Sequence, residues 1–167
     1  MSGGDPALPH PSRTIVIGMG NPLLGDDGVG WAVADAMDAR LATLAPSVEL
    51  ERLAVGGLAL MERLVGFDRA ILVDALVGGN DRLGTVSVRP LAALDRGSAA
   101  HLDSSHDASL MAALEAGHGL GARLPGEILV VGIAAQYVER FGEGLSAAVA
   151  AAVDTAAGEV LRLLGAS

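Results

Sequence analysis

Short apolar runs alternate along the chain with stretches of helical periodicity. The runs predict β-strands over residues 14–17, 48–53, 70–73, 85–88 and 128–133. Between them, apolar residues recur every three or four positions, which predicts helices that begin near residues 29, 58, 104 and 146. Alternation of this kind predicts an α/β fold, a three-layer α-β-α sandwich. Its core is a mostly parallel five-stranded sheet with helices on both faces.

The chain is the length of one ordinary domain, 167 residues. Residues 1–12 are rich in Pro and Gly and lack the basic and apolar regions of a signal peptide, so we expect a disordered leader. Residues 13–167 are expected to form a single α/β domain. The longest stretch without a charged residue, 14–25, is far shorter than the roughly 20 residues that cross a membrane.

The charged residues exclude several kinds of chemistry. All 11 basic residues are Arg, so no lysine can bind a phosphate or form a Schiff base. Twenty acidic residues give a net charge of −9, which disfavours binding to nucleic acid. The absence of Cys excludes thiolate metal sites and fits a cytoplasmic location.

A glycine-rich loop with two adjacent acids follows the first predicted strand. It does not fit a dinucleotide site, because Leu23 stands where the third glycine of the fingerprint belongs. It does not fit a phosphate loop either, because Asp26 and Asp27 replace the Lys and the Ser or Thr. The acids could cap the following helix. Capping needs only one of them, so we expect one structural and one functional acid.

Further candidate ligands follow later strands. Asp74 is expected to end the most apolar strand, where a carboxylate is costly unless it is hydrogen-bonded to a neighbouring loop or used in a site. His106 is expected to open the third helix at the same crevice, with His101 shortly before it. Carboxylates and imidazole together favour a divalent metal such as nickel or zinc, which could activate water.

Four segments carry a family resemblance that spans most of the chain from Thr14 to the last helix. They read IVIGMGNPLLGDDGVG (15–30), ILVDALVGG (71–79), SSHDASL (104–110) and VVGIAAQYVERFGEGLS (130–146). Together they closely resemble the nickel–iron hydrogenase maturation endopeptidases.

The resemblance implies an endopeptidase, which we expect to be cytoplasmic and monomeric. Its substrate would be a [NiFe] hydrogenase large-subunit precursor that has already received nickel, and it would remove the precursor's C-terminal peptide. The nickel belongs to the substrate, so no tightly bound cofactor is expected. Matched residue by residue, the metal-contacting and catalytic positions fall on Asp27, Asp74 and His106.

Two departures from the family pattern concern the site. Many relatives carry Asp-Glu where this chain has Asp26-Asp27, and an acidic Gly-Gly-Thr loop where it has Val55-Gly56-Gly57-Leu58. The second change puts the substrate's identity in question rather than the reaction. Two alternatives stay open: a nickel-dependent precursor-binding chaperone without peptidase activity, and a hydrolase with its own di-metal centre built from Asp26, Asp27, Asp74, His101 and His106.

Overall fold

The computed structural model describes residues 12–45, 47–54, 56–94, 104–136, 141–142 and 144–165, with the backbone alone at 104–109. Five strands are β1 (Thr14–Met19), β2 (Val48–Leu53), β3 (Arg69–Val77), β4 (Val86–Pro90) and β5 (Glu127–Ala135). Four α-helices are α1 (Val29–Leu44), α2 (Gly57–Leu64), α3 (Ser104–Gly119) and α4 (Ala147–Leu163). Two short 3-10 helices cover Gly25–Gly28 and Leu91–Ala93.

The five strands form one sheet in the order β2-β1-β3-β5-β4. All neighbours are parallel except β4, which runs antiparallel to β5. The three interior strands, β1, β3 and β5, are all strongly apolar, as expected of strands buried on both faces. The predicted fold class is thus confirmed.

Helices cover both faces of the sheet. On one face α1 and α4 bury side chains such as Val33 and Val160 against Val16 and Ile71. On the other face α2 and α3 bury Leu64 and Leu110 against the strand residues whose side chains point away from α1 and α4. This division follows from the pleat, because successive side chains of a strand point to opposite faces.

One predicted strand boundary is wrong in a way that concerns the site. Asp74 was expected to end its strand, but β3 continues to Val77. It does so because β5 is equally long and pairs with it residue for residue, with Asp74 opposite Gly132 and Val77 opposite Ala135. Asp74 therefore lies inside a paired strand, where its backbone position is fixed.

Some expectations fall outside the described residues. They include the structure of residues 1–11 and the contribution of Val55 to the loop after β2. They also include capping of α3 by the Ser104 or Ser105 side chain, which a serine at the start of a predicted helix favours. The single-domain organisation of residues 13–167 likewise stays a prediction. None of the helices in the described part of the chain is long and apolar enough to span a membrane.

Asp68, just before β3, gives the fold a pH dependence. The Arg13 backbone N–H donates to its Oδ2 at 2.8 Å and the Arg123 guanidinium donates to its Oδ1. These two bonds lower the pKa of Asp68 below its ordinary value of 3.8. A lowered carboxyl pKa adds stability above the unfolded-state pKa, and that stability is lost as the pH falls through the folded-state pKa.

We therefore expect Asp68→Asn to make the free energy of unfolding less dependent on pH in the acid range. Urea unfolding between about pH 2.5 and 6 should show a smaller loss of stability on acidification than in the wild type. Asp154→Asn, which removes an exposed acid of α4, is the control and should keep the wild-type slope. Parallel profiles for the wild type and Asp68→Asn would contradict the expectation.

Candidate active site

The loop between β1 and α1 folds tightly back on itself at the carboxyl end of the sheet. Gly20 has a φ of +105°, and a Cβ there would lie 1.8 Å from the backbone oxygen of Asp27. Only glycine fits such a conformation and such a close approach. The Gly20 N–H also donates to the Leu53 carbonyl at 3.1 Å, which ties the loop to the end of β2.

This folding brings the Asp27 carboxylate against the start of the loop. Its Oδ2 accepts the backbone N–H of Asn21 at 2.6 Å. Within the described residues its Oδ1 accepts no hydrogen bond, and the side chain is only partly buried. One oxygen thus fixes the carboxylate, while the other is not used by any hydrogen bond within the described residues.

Asp26 has a different environment from its neighbour. It is 1% exposed, and both of its oxygens are bonded to Ser146, Oδ1 to the backbone N–H at 2.6 Å and Oδ2 to the hydroxyl at 2.9 Å. A buried carboxylate is tolerated when it is fully hydrogen-bonded and lies at a helix N-terminus, as Asp26 does at α4. Of the two acids, Asp26 is therefore the one whose environment fits a structural role.

The sequence favours two caps, an acid of the first loop at the following helix and Ser146 at the last one, but neither side chain makes a capping hydrogen bond. No side chain caps the 3-10 helix or α1, whose N-cap residue is Gly28. Ser146 occupies the N-cap position of α4, but its hydroxyl makes no cap hydrogen bond. The hydroxyl bonds to Asp26 instead, so the acid from the first loop serves the N-terminus of the last helix.

Asp74 lies on the neighbouring strand. Strand alternation places its side chain on the face that α2 and α3 cover, with Ala70 and Leu72. Its Oδ1 accepts the backbone N–H of Ala75 at 2.8 Å, and Asp74 has a further interaction within the chain. The opposing residue, Gly132, has no side chain, and the Leu76 side chain occupies the space where its Cβ would lie.

The elements that carry Asp27 and Asp74 pack directly on each other. The 3-10 helix Gly25–Gly28 contacts β3, and Gly30 lies so close that a Cβ there would be 2.4 Å from the Val73 carbonyl oxygen. The two acids therefore come from adjacent elements at the carboxyl end of the sheet, where ligands bind in open α/β sheets.

The histidines are only partly described. His106 lies in the first turn of α3, on the same face of the sheet as Asp74, but its side chain is outside the described set, and His101 is outside the described residues altogether. Among the described side chains, no three acidic or histidine groups form a cluster suited to a metal. Since that set lacks His106, the predicted convergence of Asp27, Asp74 and His106 stays a prediction.

A second set of hydrogen bonds that holds the first loop was not predicted from the sequence. The Gly25 N–H donates to the Gly142 carbonyl at 2.9 Å, and the Gly142 N–H donates to the Leu23 carbonyl at 3.0 Å. Together with the Asp26–Ser146 bonds, these contacts make residues 142 and 146 part of the loop's support. The glycines of this late segment were the only sequence signal for these contacts. They indicate a turn, but they do not identify the segment to which it is hydrogen-bonded.

Comparison with known proteins decides the family. The profile of the hydrogenase maturation proteases matches residues 33–163, more than three quarters of the chain. The chain belongs to the hydrogenase maturation protease family. A search of curated proteins gave no significant match.

Solved structures agree with the family assignment. The hydrogenase maturating endopeptidase HybD from Escherichia coli is 26% identical, with a TM-score of 0.76 over 92% of each chain. A hydrogenase 2 maturation peptidase from a Thaumarchaeota archaeon is 26% identical, with a TM-score of 0.66 over 93% of this chain and all of that one. The HybD protease from Thermococcus kodakarensis, 23% identical with a TM-score of 0.65 over 93% and 99%, shares the fold.

Family membership settles the class of activity. The chain is a peptidase of hydrogenase maturation, which confirms the resemblance drawn from its four motifs. It also disfavours the alternative of a chaperone without peptidase activity. The di-metal alternative depends on His101 and His106 and is not decided by the described residues.

Proposed function

We propose that this peptidase removes the C-terminal peptide of a [NiFe] hydrogenase large-subunit precursor, and that it does so after nickel has been inserted. In this proposal Asp27, Asp74 and His106 contact the precursor's nickel. The enzyme acts in the cytoplasm as a monomer. Family membership supports the hydrogenase precursor as the substrate class, and the chemistry of the loop supports the metal contact.

The environment of Asp27 is the observation that carries the proposal. Its Oδ2 is held by the Asn21 N–H, so the carboxylate has a fixed direction. Its Oδ1 accepts no hydrogen bond from the described residues, although it lies in a partly buried loop at the ligand-binding end of the sheet. A fixed anionic oxygen that accepts no hydrogen bond from the described residues is well suited to bind a divalent cation delivered by a partner.

The proposed ligand set also suits a metal that must stay with the substrate. Carboxylate and imidazole groups bind nickel, but without thiolates they do not compete strongly for a soft, sulfur-bound metal. The metal would then position the scissile bond, and a carboxylate, Asp27 or Asp74, would orient the attacking water. The chain contains no Cys or Lys that could act as a covalent nucleophile.

The direct test compares nickel-loaded and nickel-free precursor as substrates of the wild-type enzyme. We expect cleavage of the loaded form only, because the nickel-free form lacks the group that the three residues recognise. Mass spectrometry of the large subunit measures the loss of the C-terminal peptide. Equal cleavage of both forms would overturn nickel recognition, while binding of the loaded form without any mass change would revive the chaperone alternative.

Metal analysis of the purified enzyme distinguishes the di-metal alternative. We expect far less than one ion per chain, because three ligands open to solvent hold a metal weakly until the substrate completes its coordination shell. One or two tightly held ions per chain, retained during dialysis, would favour a resident metal centre instead.

A further inference from the structure

Asp26 is a buried charged side chain that the proposed chemistry does not use. It is 1% exposed and is bonded through both oxygens to Ser146, 120 residues later in the chain. These two bonds connect the turn before α1 to the start of α4, and the two helices pack side by side on the same face of the sheet. Apolar side chains also join the two helices, so this bond is not their only contact.

The connection lies directly beside the proposed nickel contact. Asp26 and Asp27 are consecutive residues of one 3-10 helix, Gly25–Gly28. Ser146 holds the first acid at 2.6 and 2.9 Å, and Asn21 holds the second at 2.6 Å. The two carboxylates are therefore held by different partners on one short turn. Because the two residues are adjacent in the chain, we expect a shift at Asp26 to be transmitted to Asp27.

The backbone supplies a second connection between the same two segments. Gly25 and Leu23 exchange hydrogen bonds with Gly142 at 2.9 and 3.0 Å. The first loop is thus joined to the segment before α4 in two places, by backbone bonds at Gly142 and by the bonds of the Asp26 carboxylate at Ser146. Because glycine-rich loops are otherwise free to move, these bonds determine where the turn lies.

We propose that Asp26 and Ser146 form a positioning pair that holds the Asp27 carboxylate in its productive place. The inference rests on the proposed function, in which Asp27 contacts the substrate, and it assigns a role to two residues that do not touch the substrate themselves. A displacement of about 1 Å at a reacting group can cost on the order of 100-fold in rate.

Four variants test the pair. Ser146→Ala removes the hydroxyl bond and keeps the backbone bond, and we expect it to lower the kcat/KM for nickel-loaded precursor by about 10-fold. Ser146→Thr keeps a hydroxyl and should restore most of the activity. Asp26→Ala removes both bonds and should lose more activity than Ser146→Ala. Asp26→Asn can accept the Ser146 N–H and donate to its hydroxyl, so it should retain more activity than Asp26→Ala.

A control separates positioning from stability. Val160→Ala makes a cavity in the same helix, where Val160 is fully buried, and lowers stability without touching the loop. At a temperature where all variants are folded, it should keep wild-type kcat/KM. Equal activity losses in Val160→Ala and Ser146→Ala would overturn the inference, as would wild-type activity in Ser146→Ala.

A spectroscopic readout tests the pair without any substrate. The Asn21 amide proton reports its bond to Asp27, so its NMR chemical shift and its exchange rate should change in Ser146→Ala and return toward wild type in Ser146→Thr. An Asn21 amide that is unchanged in Ser146→Ala would overturn the inference. If the wild type fails to cleave the loaded precursor, the proposed function fails, and this amide measurement still decides whether the pair positions Asp27.

Discussion

Gly30→Ala is expected to destabilise the fold by about 3 kcal/mol, the upper part of the range for overpacked sites. A Cβ at this position would lie 2.3 Å from the Met19 carbonyl oxygen and 2.4 Å from the Val73 carbonyl oxygen. Both atoms are backbone atoms of paired strands, so neither can turn away as a side chain could. Relief would require α1 to lift from the ends of β1 and β3, which carry the first loop and Asp74.

Gly158→Ala is the matched control for this substitution. Gly158 is an exposed residue inside α4, and a Cβ there would meet no atom within 4 Å. The same change should therefore stabilise the protein by about 0.5–1 kcal/mol, because alanine loses less backbone entropy in a helix. Urea unfolding of both variants measures the two effects, and a Gly30→Ala protein as stable as the wild type would contradict the close packing of α1 on the sheet.

The fold could be predicted from the sequence because its signals are local and agree with one another. The β-branched and aliphatic runs of β1, β3 and β5 are separated by clear helical periodicity, and a right-handed crossover leaves few ways to connect them. The end of β3 was mispredicted because a charged residue usually marks the edge of a buried strand. Pairing with β5 overrode that signal, and Gly132 opposite Asp74 could not be identified without the register.

The site was only partly predictable for a related reason. Sequence reasoning could select Asp26 and Asp27 as a pair of which one is structural, but it could not say which. The answer depends on Ser146, 120 residues away, and nothing local to the first loop identifies that partner. Ser146 itself carried a misleading signal, because a serine before an apolar helix ordinarily caps that helix.

Asp27→Asn is expected to lower the rate of cleavage of nickel-loaded precursor by on the order of 100-fold or more, because it removes a charged ligand and a candidate base. The substitution is nearly isosteric, but the Asn21 N–H still needs an acceptor. The amide oxygen of the new side chain would therefore turn toward Asn21, at the place of Oδ2. The amide NH₂ would then occupy the place of Oδ1, and it has no lone pair to offer a metal.

Asp27→Glu is the companion variant, since it keeps an anionic oxygen on a side chain one methylene longer. We expect it to retain much more activity than Asp27→Asn, with urea unfolding used to show that both variants are folded. Asp38→Asn, which removes an exposed acid of α1 paired with Arg52, should cleave at the wild-type rate. Initial rates of peptide release, followed by mass spectrometry, make the comparison. Wild-type rates in Asp27→Asn would show that the open oxygen of Asp27 does not contact the nickel, and the recognition role would then have to be carried by Asp74 and His106 alone.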